Sequence, residues 1–317
     1  MILVGFDIGG TKCAVSVGTY INGEITIENK EGYPTDFSIT PQDMLLRMCD
    51  SAEKLLRGRK PDSIGISCGG PLSSKRGVIL SPPNLPGWDE IYAVDIIKKR
   101  FDCPVSLEND ANACALAEWK FGSGKGSNNM AFMTFGTGLG AGLILDGKLY
   151  SGTSDMAGEV GHIRLSPFGP IGYGKRGSFE GFCSGAGIAQ LGDTVAKEYL
   201  QKGITPSYYS ANSVASAKDI ALAARQGDKA ALEVFDICGT KLGEGLSIMI
   251  DILNLERIVI GSIFTRCEDL LRDSMNKVIG YETLSLASDC CKILPAKLGE
   301  KIGDYAAIAI ALSKMEE

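Results

Sequence analysis

Short apolar runs separated by glycine or polar turns dominate the first third of the chain. Apolar residues fill most of Ile2–Ile8, and after the glycine pair at 9–10 a second run covers Cys13–Val17. The Asn22–Gly23 pair is typical of a hairpin turn, and the alternation after it predicts a third strand. Pro41–Leu56 has apolar residues at helical spacing and is predicted to be a helix. The pattern indicates an α/β fold.

A segment rich in glycine, serine and asparagine at 122–129 interrupts this pattern and is the best candidate for a domain boundary. Before it, Ser63–Ser67 and Val105–Leu107 are predicted strands, and the second leads into a helix over Asp110–Phe121. Because 317 residues exceed what one hydrophobic core usually fills, we expect two α/β domains. The predicted domains are 1–121, completed by the C-terminal helical segment 304–317, and 122–303.

The second half of the chain begins with two apolar strands around a glycine-rich turn, closed by the Asp146–Gly147 turn. The rest of this half is richer in helix. Both halves open with a strand, a glycine–threonine turn and a returning strand, so they share one pattern. The predicted later elements are helices over 216–225, 229–252, 266–278 and 304–315, and a strand over 257–260.

Charge and composition narrow the class of protein. The net charge of −6 argues against nucleic acid or an anionic membrane as a partner, since both favour a basic surface. No apolar run approaches the ~20 residues of a membrane helix, and no secretory signal is visible. The ten cysteines include no C-x-x-C pair, so we expect free thiols in a reducing cytoplasm.

The stretch "DIGGTKCAV", residues 7–15, places two glycines and Thr11 after a strand. Glycines let backbone N–H groups approach an anion, and Asp7 at the strand end could hold Mg²⁺ or its waters. The alternative is a tight hairpin with an incidental acid. The stretch "FGTGLGAG", residues 135–142, offers a second phosphate-binding turn or a close-packed turn without a ligand. Neither stretch matches a Rossmann or Walker A motif.

The stretch "LENDANACALAEW", residues 107–119, places Asn109 and Asp110 where a strand gives way to a helix. Asp110 could be only the helix N-cap. The carboxyl end of a strand in an α/β sheet is also where ligands usually bind. A carboxylate there could take the proton of a sugar hydroxyl that attacks phosphorus.

His162 is the only histidine of the chain and follows Glu159 by three residues in "GEVGHIRL". A lone histidine is more often a core or surface residue than a catalyst. Together with Glu180, however, it supplies both donors and acceptors, which the several hydroxyls of a sugar require. The stretch therefore allows a sugar site.

The chain resembles the ROK family of the actin-like ATPase superfamily, which contains repressors and sugar kinases. The resemblance covers almost the whole chain. The segments that carry it are "FDIGGTK", "GGPLSSKRGVILSPPNLPGW", "LENDANACALAEW", "FGTGLGAGLILDG", "AGEVGHIRL", "GKRGSFEGFCSG" and "RIVIGS".

The resemblance implies two actin-like ATPase (ribonuclease H-like) domains with a cleft between them, the first on the sugar side and the second on the nucleotide side. It implies transfer of the γ-phosphoryl group of ATP, with Mg²⁺, to a hydroxyl of a hexose or N-acetylhexosamine, usually the 6-hydroxyl, with Asp110 as the general base. It also implies a homodimer. The implied sugar ligands are Gly70, Asn84, Asn109, Asp110, Glu159, His162 and Glu180. The implied ATP or phosphate ligands are Asp7, which also faces Mg²⁺, Gly9, Gly10, Thr11, Lys12, Gly136, Thr137, Gly138, Gly261 and Ser262.

One motif departs from the family. Its members usually carry C-x-C-G-x-x-G-C-x-E after the histidine, and the three cysteines bind a structural Zn²⁺ with that histidine. Here the three cysteine positions are Ile171, Tyr173 and Ser178. Because a structural zinc site needs four ligands, we expect no zinc of this type. We expect apolar packing by Ile171, Tyr173 and Phe179 to stabilise the loop instead.

Two alternatives to a kinase follow from the same family. A repressor would carry a helix-turn-helix before the first phosphate motif, and the first predicted strand here begins at Ile2. The loss of the cysteines leaves open a catalytically silent sugar-binding or regulatory protein of the same fold. The presence of the expected site residues argues against it and favours the kinase; they are Asp7, Thr11, Asp110, Glu159, His162 and Glu180.

Overall fold

The computed structural model describes residues 1–316, so the last residue of the predicted C-terminal segment lies outside the described part. The chain divides into two compact units. The first comprises 1–126, 142–157 and 297–317, and the second comprises 127–141 and 158–296. Within the described residues, no helix is long and apolar enough to cross a membrane.

Groups of strands and groups of helices follow one another along the chain. The strands are β1 (Ile2–Ile8), β2 (Lys12–Ile21), β3 (Glu24–Pro34), β4 (Ser63–Cys68), β5 (Leu72–Ser73), β6 (Val78–Ile79), β7 (Val105–Asn109), β8 (Met130–Phe135), β9 (Leu139–Leu145), β10 (Lys148–Leu149), β11 (Ile171–Gly172), β12 (Lys175–Arg176), β13 (Arg257–Ile260) and β14 (Lys292–Pro295). The helices are α1 (Pro41–Leu56), α2 (Ala93–Lys98), α3 (Asp110–Phe121), α4 (Phe179–Phe182), α5 (Gly185–Gln201), α6 (Ala217–Arg225), α7 (Lys229–Leu253), α8 (Ile263–Glu282), α9 (Ser285–Cys290) and α10 (Ile302–Glu316).

A five-stranded sheet with the order β3-β2-β1-β4-β7 forms the centre of the first unit. Strands β1, β4 and β7 run parallel, whereas β2 and β3 are antiparallel additions. Helix α1 covers one face with Met44, Leu45 and Met48 fully buried. Its N-cap Thr40 accepts a hydrogen bond from the amide of Asp43, which fixes where the helix begins.

Helix α10 packs against β1 and β4 on the sheet and against α3. The approach is close because β4 carries Gly65 at the contact, where a Cβ atom would lie 2.1 Å from the carbonyl oxygen of Ala307. Ile308 and Leu312 of α10 are fully buried. The C-terminal helix is therefore part of the core of the first unit.

A fully buried carboxylate, that of Glu118 in α3, binds backbone amides of two segments of the first unit. It accepts hydrogen bonds from Ser123 at 2.8 Å, from Lys297 at 3.2 Å and from Leu298 at 2.8 Å. These segments adjoin the boundaries between the units at 126–127 and 296–297. Glu118 thus holds two segments of the first unit in place, and each lies near a point where the chain passes from one unit to the other.

The second sheet has the order β10-β9-β8-β13-β14, with β13 parallel to β8 and to β14. In the second unit, helices α5, α6 and α8 each pack against the long helix α7. The predicted bounds of Pro41–Leu56, Asp110–Phe121 and the strand 257–260 agree with the structure. The sequence interpretation missed α5 and the strand β14.

Candidate active site

Three parallel strands of the first unit end at the same edge of the sheet. The register pairs Ile8 of β1 with Cys68 of β4, and Cys68 with Asn109 of β7. Asp7 is paired with Ser67 and therefore lies one residue before this row. The carboxyl ends of parallel strands are where α/β proteins bind ligands, so this edge is the candidate site of the first unit.

Asn109, and not Asp110, is the N-cap of α3. Its side-chain oxygen accepts from the amide of Ala111 at 2.9 Å, while Asp110 is the first helical residue. The Oδ1 atom of Asp110 also accepts from Ala111, at 2.8 Å. The other carboxylate oxygen of Asp110, Oδ2, takes no part in this bond and can contact a ligand. A residue that only capped the helix would not need such an oxygen.

Asp110 is exposed to solvent as a residue, whereas many protein atoms lie around its carboxyl group. This burial raises the pKa of Asp110 above its ordinary value, and the hydrogen bond from Ala111 opposes the shift. A carboxylate with a raised pKa at a strand end is a candidate for proton transfer.

The loop after β4 brings the predicted sugar ligands of the first unit together. A Cβ atom placed on Gly69 would lie 3.5 Å from Oδ1 of Asn84 and 4.0 Å from Oδ2 of Asp110. A Cβ atom on Gly70 would lie 3.3 Å from Nδ2 of Asn109. The two glycines therefore leave a space that Asn84, Asn109 and Asp110 line with polar groups.

Gly10 of the first glycine turn has a packing role that the sequence did not indicate. A Cβ atom on Gly10 would lie 2.2 Å from the carbonyl oxygen of Asn84, so only glycine fits there. The turn is closed by a bond from the amide of Gly9 to the carbonyl of Lys12, at 3.1 Å. Thr11 and Lys12 are exposed at its tip. The first predicted phosphate turn and the predicted sugar loop are thus in direct contact.

The carboxyl group of Asp7, at the same edge of the sheet, also has a raised pKa. Burial raises its pKa to about 6, against the influence of Lys12 and Lys30, and the negative charges of Asp110 and Asp304 add to the rise. No group of three or more His, Cys, Asp or Glu side chains in residues 1–316 is arranged to hold a metal ion. One carboxylate with phosphate oxygens and waters is nevertheless how Mg²⁺ is commonly bound. Asp7 fits that pattern.

In the second unit the turn Gly136–Gly138 is closed by a bond from the amide of Gly136 to the carbonyl of Gly138, at 3.1 Å. Thr137 is exposed at its tip. A Cβ atom on Gly136 would lie 3.6 Å from Oγ of Ser262. Gly261, buried beside Ser262, donates its amide hydrogen to the carbonyl of Met133. The predicted phosphate and adenosine residues of this unit therefore lie together.

Two helices begin beside this turn. Ser262 precedes α8, and Ser184 is the N-cap of α5. The amide of Gly185, the first residue of α5, donates to the carbonyl of Gly136 at 2.8 Å. Helix N-termini favour anions, so both starts suit a phosphate site. Sequence reasoning missed Ser184 and Gly185, although the serine before a helix is a capping signal.

Glu180 lies beside the same turn. Its carboxylate accepts a hydrogen bond from the amide of Leu139 at 3.0 Å, one residue beyond Gly138. Glu180 was predicted as a sugar ligand. The structure connects it to the second phosphate turn as well.

The stretch with His162 packs on β9. The amide of Ala141 in β9 donates to the carbonyl of Gly158 at 3.0 Å. Glu159 and His162 are both exposed, and the ring of His162 meets the edge of the Tyr173 ring at a centroid distance of 5.5 Å. Both predicted sugar ligands therefore lie at the surface of this unit.

A small hairpin occupies the segment where the family's zinc motif would lie. Strands β11 and β12 pair through Ile171–Arg176 and Gly172–Lys175. Gln190 of α5 binds both backbone groups of Ile171, accepting from its N–H and donating to its carbonyl, each at 2.9 Å. The donor set of a zinc site is absent, because isoleucine, tyrosine and serine replace the thiolates.

The predicted apolar packing of this segment is wrong for two of its three residues. Phe179 is fully buried, but Ile171 is 47% exposed and Tyr173 is 73% exposed. The hairpin turn points these two side chains outward. The segment is instead held by the backbone pairing of β11 with β12 and by the two hydrogen bonds between the Gln190 side chain and the backbone of Ile171.

Comparison with known proteins agrees with the fold and the motifs. The model of the ROK family matches residues 3–314. A glucokinase of Halalkalibacterium halodurans is 33% identical over 307 residues, which are 95% of this chain and 92% of that protein. A xylose repressor of Caldicellulosiruptor bescii is 27% identical, over 99% of this chain and 78% of that protein.

Among solved structures, a ROK family glucokinase from Streptomyces griseus in complex with glucose and AMPPNP is 28% identical. It superposes with a TM-score of 0.74 and covers 98% of this chain and 99% of that one. The chain therefore belongs to the ROK family, and its α/β fold is that of the actin-like ATPases. Both expectations from the sequence are confirmed.

Proposed function

We propose that the protein transfers the γ-phosphoryl group of MgATP to the 6-hydroxyl group of a hexose or an N-acetylhexosamine. Its class, an ATP-dependent sugar kinase, follows from its kinship with the glucokinases. The observation that carries the finer proposal is the position of Asp110, which lies at the end of β7 and lines one space with Asn84 and Asn109.

Asp110 accepts the proton of the attacking hydroxyl as its oxygen bonds to the γ-phosphorus. A raised pKa brings a carboxylate nearer to the working pH and makes it a better base. The cap by Asn109 and the bond from Ala111 fix the first turn of α3 and hence the direction of the carboxylate. A base positioned in this way typically contributes ~10²–10⁴ in rate.

The sugar hydroxyls need acceptors and donors on several sides. Asn84 and Asn109 supply amides in the first unit, where Gly70 leaves the room for a ligand. Glu159, His162 and Glu180 supply two carboxylates and an imidazole in the second. Carboxylates accept from hydroxyl groups, and an amide or imidazole can donate to them.

The glycine turns at 9–12 and 136–138 present backbone N–H groups to the phosphates of ATP. Gly261 and Ser262 would lie near the adenosine. Asp7 would hold Mg²⁺, which neutralises the charge that phosphoryl transfer moves between the oxygens. We expect the assembly to be a homodimer, to be tested by light scattering.

A coupled ADP-release assay tests the proposal. Purified protein is supplied with MgATP and a panel of hexoses and N-acetylhexosamines, beside the variant Asp110→Asn. We expect one or more sugars to give turnover, and the variant to lose ~10²–10⁴ of it while still binding sugar. Asp95→Asn, an exposed change on α2, serves as the matched control.

Near-normal turnover by Asp110→Asn would refute the assignment of the base. Silence across the panel, with sugar binding still seen by thermal shift, would instead support the second candidate, a sugar-binding regulatory protein. The similarity to xylose repressors is the observation that keeps this candidate in the test.

A further inference from the structure

A cavity of about 650 Å³ lies in the first unit beside β7, the edge strand of the sheet. Its walls come from β7, α3, the turn before β10, the start of the loop after β5, and α10. None of the residues assigned above to sugar, phosphate or metal lines it. Its size is within the ~300–1,000 Å³ typical of small-ligand sites.

The charge of this cavity is opposite to that of the protein. Four lysines and two glutamates line it, whereas the chain as a whole carries −6. Lys120 is occupied, because its ammonium group pairs with Glu316 at 2.6 Å. Lys75 reaches the cavity from the loop after β5 and Lys148 from strand β10, and neither forms an ion pair within the described residues. Two ammonium groups are thus available to an anion.

The remaining walls suit a compact ligand with both apolar and hydroxylated faces. Leu107, Leu116 and the Trp119 ring provide an apolar surface, and the Lys120 ammonium group lies 3.9 Å from the centre of that ring. Serine hydroxyls line the cavity from four different segments: Ser74, Ser106, Ser151 and Ser313. Hydroxyls and a carboxylate, that of Glu108, can exchange hydrogen bonds with a polyol.

We propose that this cavity is an effector site for a phosphorylated sugar. Lys75 and Lys148 bind the phosphate group, the serines and Glu108 bind hydroxyls, and the apolar wall packs against the carbon skeleton of the sugar. A sugar without a phosphate group has no negative charge to pair with the two lysines. An inorganic anion has the charge but no carbon skeleton to pack against the apolar wall.

The cavity is connected to the catalytic segment through one buried side chain. Asn112, which is 2% exposed, donates from Nδ2 to Oε2 of Glu108 at 3.3 Å and to Oγ of Ser151 at 3.4 Å. Asn112 lies two residues after Asp110 in the first turn of α3. A ligand that binds Glu108 and Ser151 therefore acts on the turn that positions Asp110.

Isothermal titration of the full-length protein tests the site. The catalytic site is first saturated with glucose and AMPPNP, and the protein is then titrated with glucose 6-phosphate, fructose 1,6-bisphosphate, glucose or inorganic phosphate. We expect one further equivalent of a sugar phosphate to bind, and inorganic phosphate to bind at least tenfold more weakly. Glucose 6-phosphate belongs to the class of product that the proposed reaction forms, whereas fructose 1,6-bisphosphate does not. Comparing the titrations with these two compounds therefore distinguishes feedback by the product from control by another metabolite.

Two variants place this binding in the cavity. Lys75→Met with Lys148→Met removes the anion ligands and keeps the apolar stems, and Ser313→Tyr fills the cavity without changing charge. We expect each to weaken binding tenfold or more and to leave turnover without effector unchanged. Lys60→Met with Lys98→Met removes two exposed charges from the same unit outside the cavity, and is expected to change neither.

The inference is overturned if no sugar phosphate binds to the saturated protein, or if the control pair loses as much affinity as the cavity pair. Equal binding of inorganic phosphate would reduce the site to a general anion contact and would also overturn it. So would binding that leaves the turnover rate of the wild type unaltered. If no sugar is phosphorylated at all, the proposed function fails, but the loss of binding in Ser313→Tyr still decides whether the cavity is the site.

Discussion

The carboxylate of Glu180 accepts a hydrogen bond from the amide of Leu139, just beyond the second phosphate turn. The residue before it, Gly138, closes that turn through its carbonyl oxygen. A side chain expected to bind sugar thus also fixes a backbone expected to bind ATP. In the second unit, this hydrogen bond thus connects a predicted sugar ligand with the predicted phosphate turn.

Two substitutions of Glu180 separate these roles. Glu180→Gln keeps an acceptor for Leu139, so we expect its KM for ATP to stay within about twofold while its KM for sugar rises. Glu180→Ala removes the acceptor too, and a lost hydrogen bond of a charged group costs about 1.5–3 kcal/mol. We expect a further rise of about tenfold or more in the KM for ATP. The measurement is initial-rate kinetics with each substrate varied, and Glu198→Ala on α5 is the control. The same ATP effect in both variants would contradict a supporting role.

The pH profile of turnover should report the carboxyl groups of the first unit. Burial raises the pKa of Asp7 to about 6 and raises that of Asp110 above 3.8. The proposed mechanism requires both groups as anions, so we expect activity above the raised pKa values and its loss as pH falls through them. We expect kcat/KM to decline as pH falls below about 6. Lys12 lowers the pKa of Asp7, so Lys12→Met should move the decline to higher pH. An unchanged rate down to pH 4.5 would contradict this.

The same shift has the opposite sign for stability. Between pH 3.8 and about 6 the folded state holds a proton on Asp7 that the unfolded state has released. The contribution of Asp7 to the free energy of unfolding therefore decreases as pH rises through this window. Asp7→Asn should lack this dependence when unfolding is followed by urea titration at several pH values.

Replacement of the buried acid in α3 should destabilise the protein. Glu118→Gln turns one acceptor oxygen into a donor that faces backbone amides, so at least one of them loses its partner. An unsatisfied buried group costs about 1–3 kcal/mol, or several degrees in Tm. Glu268→Gln on α8 weakens a partly exposed pair with Arg272 and should cost at most about 1 kcal/mol. Equal Tm values for the two variants would show that the Glu118 bonds contribute little.

The hairpin of β11 and β12, at the position of the family's zinc motif, should keep its structure without metal. We expect EDTA to leave Tm unchanged and elemental analysis to find no stoichiometric zinc. Gln190→Met keeps the length of the side chain and removes both bonds to Ile171, so we expect faster protease cleavage within 166–176. A chelator-dependent fall in Tm would contradict a metal-free segment. Cleavage at the wild-type rate would assign the hairpin's stability to its other contacts.

Much of the fold could be predicted because local signals agreed with it. Pro41–Leu56 combines a threonine N-cap, an early proline and an apolar stripe, and the structure has the same bounds. Helix α5 was missed because Gly185, Gly187 and Gly192 weaken its helical signal. Their reason is tertiary: a Cβ atom on Gly187 would lie 2.0 Å from the carbonyl oxygen of Gly181. Here tertiary packing requires glycine in spite of its low helix propensity. The local sequence therefore does not indicate the helix.

The site could be predicted as a set of residues but not as a set of contacts. The position of Asp110 at a strand end could be predicted because the apolar pattern changes there from that of a strand to that of a helix. The hydrogen bond between Glu180 and Leu139 joins residues 41 positions apart, and the spacing of apolar and polar residues along the chain does not predict it. The exposure of Tyr173 has the same origin, since hairpin geometry, and not hydrophobicity, decides the direction of its side chain.

Helix α10 has a consequence for biosynthesis. The core of the first unit contains this helix, yet all of residues 158–296 precede it in the chain. A ribosome therefore releases the sheet of the first unit long before the helix that covers Gly65 and its neighbours. Until then that face of the sheet lacks the helix that buries it in the finished protein, so the core of the first unit cannot be completed before 158–296 have been translated. The half of the protein that is translated first is the half that is finished last.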